Sequence, residues 1–216
     1  MTPIIFEMKL YPFSLLLAAT AGLMIAPVQG APNEDAALAV IAIGTEQRAN
    51  AINELAMIGT AKSVPVLAGL LSDNELSDYA RNALQQIPDP SAGQALMASL
   101  NKLQGKFLTG VVITLGDRRE KAAVPALLKL AANPKCPAND AALSSLAMIA
   151  SDEAAASIAT IIAGGPAELK LAAVNAALRA AGRMPKGGAF RTLLLDSVLS
   201  ADVPARLKTA AEVLKK

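Results

Sequence analysis

Apolar stripes of helical period, broken off at near-constant intervals, most restrict what this 216-residue chain can fold into. Val64, Leu67, Ala68 and Leu71 fall at i, i+3, i+4 and i+7, the spacing of one helix face. Leu76, Tyr79, Ala80, Ala83, Leu84 and Ile87 extend the same stripe. The pattern returns at Leu108, Val111, Val112 and Leu115, at Val124, Leu127, Leu128 and Ala131, and at Ala155, Ile158, Ala159 and Ile162. It closes with Leu207, Ala210, Ala211 and Leu214. Helices this short are marginal in water unless they bury their apolar face on neighbours. The breaks at Ile58-Gly59, Ile87-Pro88, Leu115-Gly116, Ile149-Ala150 and Ala181-Gly182 follow one another by 29, 28, 34 and 32 residues. One phrase is written twice: LAMIG at Leu55–Gly59 and LAMIA at Leu146–Ala150. Such periodicity is the mark of stacked helix pairs.

The spacing predicts an all-α, right-handed α-solenoid of about five helical hairpins plus capping helices. The hairpins are expected at 45–72, 75–103, 106–132, 139–163 and 167–199, with a closing helix at 203–215 and an N-terminal cap at 35–43. Val64-Pro65 and Val124-Pro125 each open a helix, since proline is tolerated in a first turn. Asp73, Asp89, Asp117 and Asp152 are expected in or beside turns, where carboxylates cap N–H groups. Strands are disfavoured by the Ala- and Leu-rich composition with 3% aromatics.

The segment SVPVLAGLLSDNELSDYARNALQQIPDPSA resembles the short HEAT-like repeat of phycobilin-lyase-type and other bacterial HEAT proteins. Val64-Pro65, Leu67, Leu70-Leu71, Asp73, Ala83-Leu84, Ile87 and Asp89-Pro90 carry the resemblance. Ala51-Ile52, Leu55, Ile58 and Gly59 fit the preceding helix, and Arg48 the basic residue at its start. Ser77-Asp78 stands where the family has Arg, and Pro88 replaces the terminal Gly. The resemblance implies the fold and is nearly silent on function, because the matched positions are packing positions. No functional residue of a lyase is found here to carry over.

The first thirty residues read as an export signal rather than as fold. Lys9 supplies a short positive region, Pro12–Ala26 an apolar run, and Val28-Gln29-Gly30 a small-residue cleavage site before Ala31. The run is shorter than the ~20 residues a spanning helix needs. Met8 is an alternative start to Met1. The domains expected are thus a signal peptide, 1–30, and a HEAT-like solenoid, 31–216, exported to the periplasm or outside the cell. The membrane is a partner only if the N-terminal segment is retained.

The chain holds no histidine. That excludes imidazole bases, Ser–His and Cys–His pairs and His-ligated metals. Cys136, the single cysteine, has no intramolecular partner and is read as a tolerated thiol in an exposed loop. Ser99–Lys102 matches Ser-x-x-Lys spacing without its companion motifs and is read as a solvated helix face. Gly164-Gly165-Pro166 and Gly187-Gly188 are loop punctuation. The pairs Glu34-Asp35 and Asp152-Glu153 sit at helix starts, where the dipole favours acids. Met57, Met97 and Met148 are expected to fill core, as are Tyr79, Phe107 and Phe190, too few for stacking on bases. No catalytic, cofactor or metal residue is assigned.

Charge is uneven. Residues 31–100 hold three basic against eight acidic residues, net −5, and residues 101–216 hold sixteen against nine, net +7. Arg118, Arg119 and Lys121 share one turn, and Arg183, Lys186 and Arg191 gather near another. Turns of a solenoid align, so these six are the candidate binding residues of a positive ridge facing an acidic partner. The functional expectation is a non-enzymatic scaffold that binds another protein through the second helices of its hairpins, with no cofactor and no nucleic acid. The alternatives are an accessory subunit of an exported enzyme complex, or a HEAT-like lyase.

Overall fold

Ala- and Leu-rich segments punctuated by Gly, Pro, Asn and Asp give a chain in which helices start and stop often. The computed structural model describes residues 33–44 and 46–216, and the predicted signal peptide and its cleavage site lie outside them. Among the described residues there are twelve α-helices and no strand. They are α1 (Glu34–Ile43), α2 (Arg48–Ile58), α3 (Val64–Gly69), α4 (Ser77–Gln86), α5 (Pro90–Ser99) and α6 (Gly105–Asp117). They continue with α7 (Val124–Ala131), α8 (Asn139–Ile149), α9 (Asp152–Gly164), α10 (Ala167–Arg183), α11 (Ala189–Ser200) and α12 (Ala205–Lys215).

The helix ends have identifiable chemical causes. Asn33, Asp89 and Ser151 cap α1, α5 and α9, accepting from the N–H groups of Asp35 (2.9 Å), Ser91 (2.9 Å) and Ala154 (3.2 Å). Pro65, Pro90 and Pro125 lie in first turns, where a missing N–H has no partner to lose. Asp73 builds the turn before α4 by accepting from the N–H groups of Glu75 and Leu76, both at 2.9 Å. Asp117 and Asp152 are the exceptions: Asp117 lies in the last turn of α6, and Asp152 is the first residue of α9, behind the cap Ser151.

The helices form two rows. α2, α4, α6, α8, α10 and α12 pack side by side in one, and the odd-numbered helices cover them from the other. α1 packs on α2 at the N-terminal end of the described stack, where a capping helix is expected. The chain is an all-α solenoid of helix pairs. Its core runs as two columns: Leu55, Leu84, Leu115 and Leu146 from the even row meet Leu67, Leu96, Leu127, Ile158 and Leu194 from the odd row, all fully buried. Leu55 and Leu146 are the first letters of the repeated phrase, so the repeat marks equivalent core positions in α2 and α8.

The ends of that phrase are solved differently. Gly59 is extended, at φ −62°, ψ 144°, and a β-carbon there would lie 2.9 Å from Ile87 Cδ1. Its value is close approach, not backbone freedom. Ala150 takes the left-handed conformation, φ 48°, that usually falls to glycine. Gly116 and Gly182, expected to end helices, are inside them: α6 runs on to Asp117 and α10 to Arg183. Gly116 lets α6 and α8 touch, because a β-carbon would sit 2.7 Å from Ser145 Cα. The Ser145 hydroxyl donates to Val112 O across the same contact at 2.8 Å.

Leu84→Ala and Leu127→Ala should each destabilise by ~2–5 kcal/mol, as deletions from closed core sites do. Denaturant unfolding measures this, and midpoints unchanged in both would refute the column. Two glycines should respond with opposite signs. Gly182 faces open space, so Gly182→Ala should stabilise by up to ~1 kcal/mol through helix propensity. Gly116→Ala should destabilise by ~1–3 kcal/mol through overpacking.

Candidate functional site

Solenoids bind through the surfaces of their rows and turns, so the question is which charged side chains the fold leaves free. Two of the six predicted ridge residues are not free. Arg118, at the end of α6, reaches back to the C-terminus of α4. Its Nη1 donates to the carbonyls of Leu84 (2.6 Å), Gln85 (3.0 Å) and Ile87 (2.6 Å). These are carbonyls that a helix end leaves without partners, and a guanidinium supplies enough donors to satisfy several. Arg191 is buried at 7% exposure, donating to Met184 O at 3.1 Å and to Leu214 O. It ties the ends of α10 and α12 to α11. A strip of Lys and Arg in the sequence does not reveal such inward turns, because the acceptors lie at the ends of other helices, 31 residues away for Arg118 at Ile87 and 23 for Arg191 at Leu214.

Arg119, Lys121, Arg183 and Lys186 are exposed. The first pair does not stand alone. Glu120 folds over Gly93 of α5, where a β-carbon would meet its carboxylate at 2.1 Å, so an acid occupies the middle of the basic turn. Both predicted clusters lie on the edge where even helices pass to odd ones, with the turn Ala150-Ser151 between them. No continuous ridge of six results.

Polar groups converge instead between helices of the even row. Between α8 and α10 lies a small groove of about 180 Å³ lined by Asp140, Ser144, Ala172, Asn175 and Arg179. Arg179 Nη2 donates to Ser144 Oγ at 2.9 Å. One turn on, Arg183 donates to Arg179 O at 3.1 Å and meets Met148 Sδ at 3.1 Å. Between α4 and α6, Arg81 pairs with Asp78 at 2.6 Å and donates to Thr114 Oγ1 at 3.2 Å. A wider groove of about 460 Å³ lies between the starts of α2 and α4, lined by Gly44, Glu46, Arg48, Ala49, Glu75, Leu76 and Tyr79.

The remaining sequence candidates have structural work. Ser99 ends α5, and its hydroxyl donates to Leu96 O at 2.7 Å, while Lys102 lies in the turn beyond, so the two do not share a helix face. The Glu34 carboxylate accepts from the Ser63 and Thr60 hydroxyls and, at 2.9 Å, from Thr60 N–H, while Lys62 pairs with Asp35. These contacts dock α1 on the turn after α2. The Ser63 hydroxyl, followed by the Thr60 amide, holds the Glu34 carboxyl below its ordinary range. Among the described residues no group of three or more Cys, Asp or Glu could hold a metal ion. Cys136 is buried rather than exposed. Met57 and Tyr79, read as core, stand 84% and 41% exposed. Helical phase places Met57 on the solvent side of α2, together with Ile113 on α6 and Leu171 on α10.

No protein-family model matches the chain. No curated protein matches its sequence. Among solved structures it is similar to the complex of CpcE and CpcF of phycocyanin lyase from Nostoc sp. PCC7120. The TM-score is 0.53 at 16% identity, over 72% of this chain and 99% of that one. The likeness shows the fold, a HEAT-like helical repeat. No helix among the described residues is long and apolar enough to cross a membrane.

Two tests follow. Arg118→Gln should destabilise by about 2–3 kcal/mol, the loss of charge-assisted bonds to otherwise orphaned carbonyls, while Arg119→Gln should stay within about 0.5 kcal/mol in the same denaturant series. Because the Glu34 pKa is lowered in the folded chain, its stabilising effect is complete above the ordinary carboxylate value and is lost as pH falls through the folded one. Amide exchange in α1 should therefore accelerate on acidification, and Glu34→Gln should be less stable than wild type at neutral pH but not below the folded pKa. A pH-independent difference would remove the assignment.

Proposed function

We propose that this chain is an exported HEAT-like repeat protein that binds another protein through the solvent face of its even-numbered helices. One observation carries the reading. Met57, Ile113 and Leu171 stand exposed on that face, on three different helices, with polar grooves between neighbouring helices. Large apolar side chains beside unengaged charge suit a partner's surface better than a small substrate. The even row is also the more continuously packed of the two, since α5 and α7 barely touch. The surface expected from the sequence is that of the second helices of the hairpins, which are odd-numbered, and the contact proposed here lies on the even ones instead.

The likeness to CpcE and CpcF, which form a complex of two proteins, supports a protein partner. Export rests on the segment Met8–Gly30 and its small residues before Ala31. The second reading is a HEAT-like lyase or an accessory subunit of one, and the observation favouring it is that the similar structure is that of a phycocyanin lyase. Against it stands the absence of histidine from the chain. The buried hydroxyls of Ser63, Ser99 and Ser145 are also engaged in intrachain hydrogen bonds.

The test is expression of the C-terminally tagged full chain in its own cells, followed by fractionation, intact mass and cross-linking mass spectrometry. The expected product begins at Ala31 in the envelope or external fraction. Cross-links to one protein should map to the even row and be lost with Met57→Glu/Ile113→Glu. Cross-links to the odd row, or none, would refute the surface, and a product retaining residues 1–30 would refute cleavage.

A further inference from the structure

Arg179 and Arg183 are two cations whose side-chain partners among the described residues are all neutral. They lie one turn apart on the α8 side of α10, and both are exposed. Like charges at this spacing repel and weaken a helix. Two arginines of neighbouring even helices are compensated: Arg81 by Asp78, and Arg118 by the open carbonyls of α4. Arg179 has a hydroxyl, Ser144 Oγ. Arg183 has a thioether, Met148 Sδ, and a backbone carbonyl inside its own helix. Asp140 lines the same groove, yet no ion pair among the described residues includes it or either arginine. Two guanidinium groups are thus held in place by neutral partners with their charge unanswered. Ser144 and Met148 fix where the groups stand without neutralising them, which is preorganisation toward an anion.

We propose that the α8–α10 groove is a docking site for an acidic segment of a protein partner, whose carboxylates pair with Arg179 and Arg183 while Asn175 hydrogen-bonds beside them. This rests on the even-row platform and names the chemistry it recognises. Two cations one turn apart match carboxylates repeated along a peptide better than one compact anion. Lys186, exposed in the turn after α10, extends the positive run in the same direction. Guanidinium groups suit the task because each can hold a carboxylate bidentately.

The experiment uses the purified full chain, a fluorescein-labelled oligo-glutamate peptide and inorganic phosphate as competitor. Wild type should bind the peptide in low salt, and Arg179→Gln/Arg183→Gln should weaken that binding at least about tenfold, the loss of two charge-assisted contacts. The melting temperature separates function from structure. The double variant should melt within about 1 °C of wild type or above it, because a repulsive pair has gone. Arg118→Gln should melt clearly lower and keep its peptide affinity. Equal peptide binding by both variants, or a melting loss in Arg179→Gln/Arg183→Gln as large as in Arg118→Gln, would overturn the proposal. So would inorganic phosphate that displaces the peptide at equal charge concentration, which would indicate a phosphate site. Cross-linking of the double variant tells the two readings apart. A partner retained on the even row leaves the platform standing and the acidic segment refuted, and a wild type without a partner refutes both.

Discussion

The structure depends on how closely helices of the even row can approach one another. Apart from α10, with 17 residues, the α-helices of the described chain have 13 or fewer, the range in which a helix alone is marginal, so they draw their stability from their neighbours. Close approach is a matter of small side chains. Gly116 against the backbone of Ser145 is one such contact, and the buried alanines 142, 147, 173, 176, 177, 180 and 181 extend it along α8 and α10. With little side-chain bulk between the rows, the buried leucines of each pair reach those of the next and form continuous columns. Stability in such an array is the sum of nearest-neighbour contacts, and a defect is felt mainly by adjacent pairs.

Close packing creates a second problem, the carbonyls at helix ends. Arg118 and Arg191 answer it by donating into the C-termini of α4, α10 and α12. The same residue type therefore has two roles here. An arginine that reaches orphaned carbonyls holds pairs together, and one that meets only a hydroxyl or a thioether remains available to a partner. Position relative to a neighbouring helix end separates the two, and charge count does not. A partner that matches the available arginines would meet them beside Met148, on the face that also exposes Ile113 and Leu171.

The acidic residues divide in a similar way. Asp73 and Asp89 are bound to backbone N–H groups, and their carboxyls are held below the ordinary range. Asp73 owes this first to the Leu76 amide, and Asp89 to Ser91. Glu34 does the same between helices, fastening α1 to the turn after α2. Glu46 and Glu75 are left to line the groove beside Arg48 and Tyr79.

The sequence by itself determined the helices, their interval and their buried faces. Leu55, Leu84, Leu115, Leu127 and Leu146 are legible as core because helical period and local breaks are properties of neighbours along the chain. It also determined the turn acids Asp73 and Asp89, which act within three residues, whereas the cap of α9 is Ser151, one residue before the expected Asp152. Tertiary structure alone decided which cations are free, since Arg118 and Arg191 find acceptors at the ends of other helices. It decided that Gly59 and Gly116 serve close approach, that Met57 and Tyr79 face outward and that Cys136 faces inward, because a helix with one clear apolar stripe still has two flanks. Which flank meets a neighbour is settled only when the rows assemble, by the phase of each helix against the next.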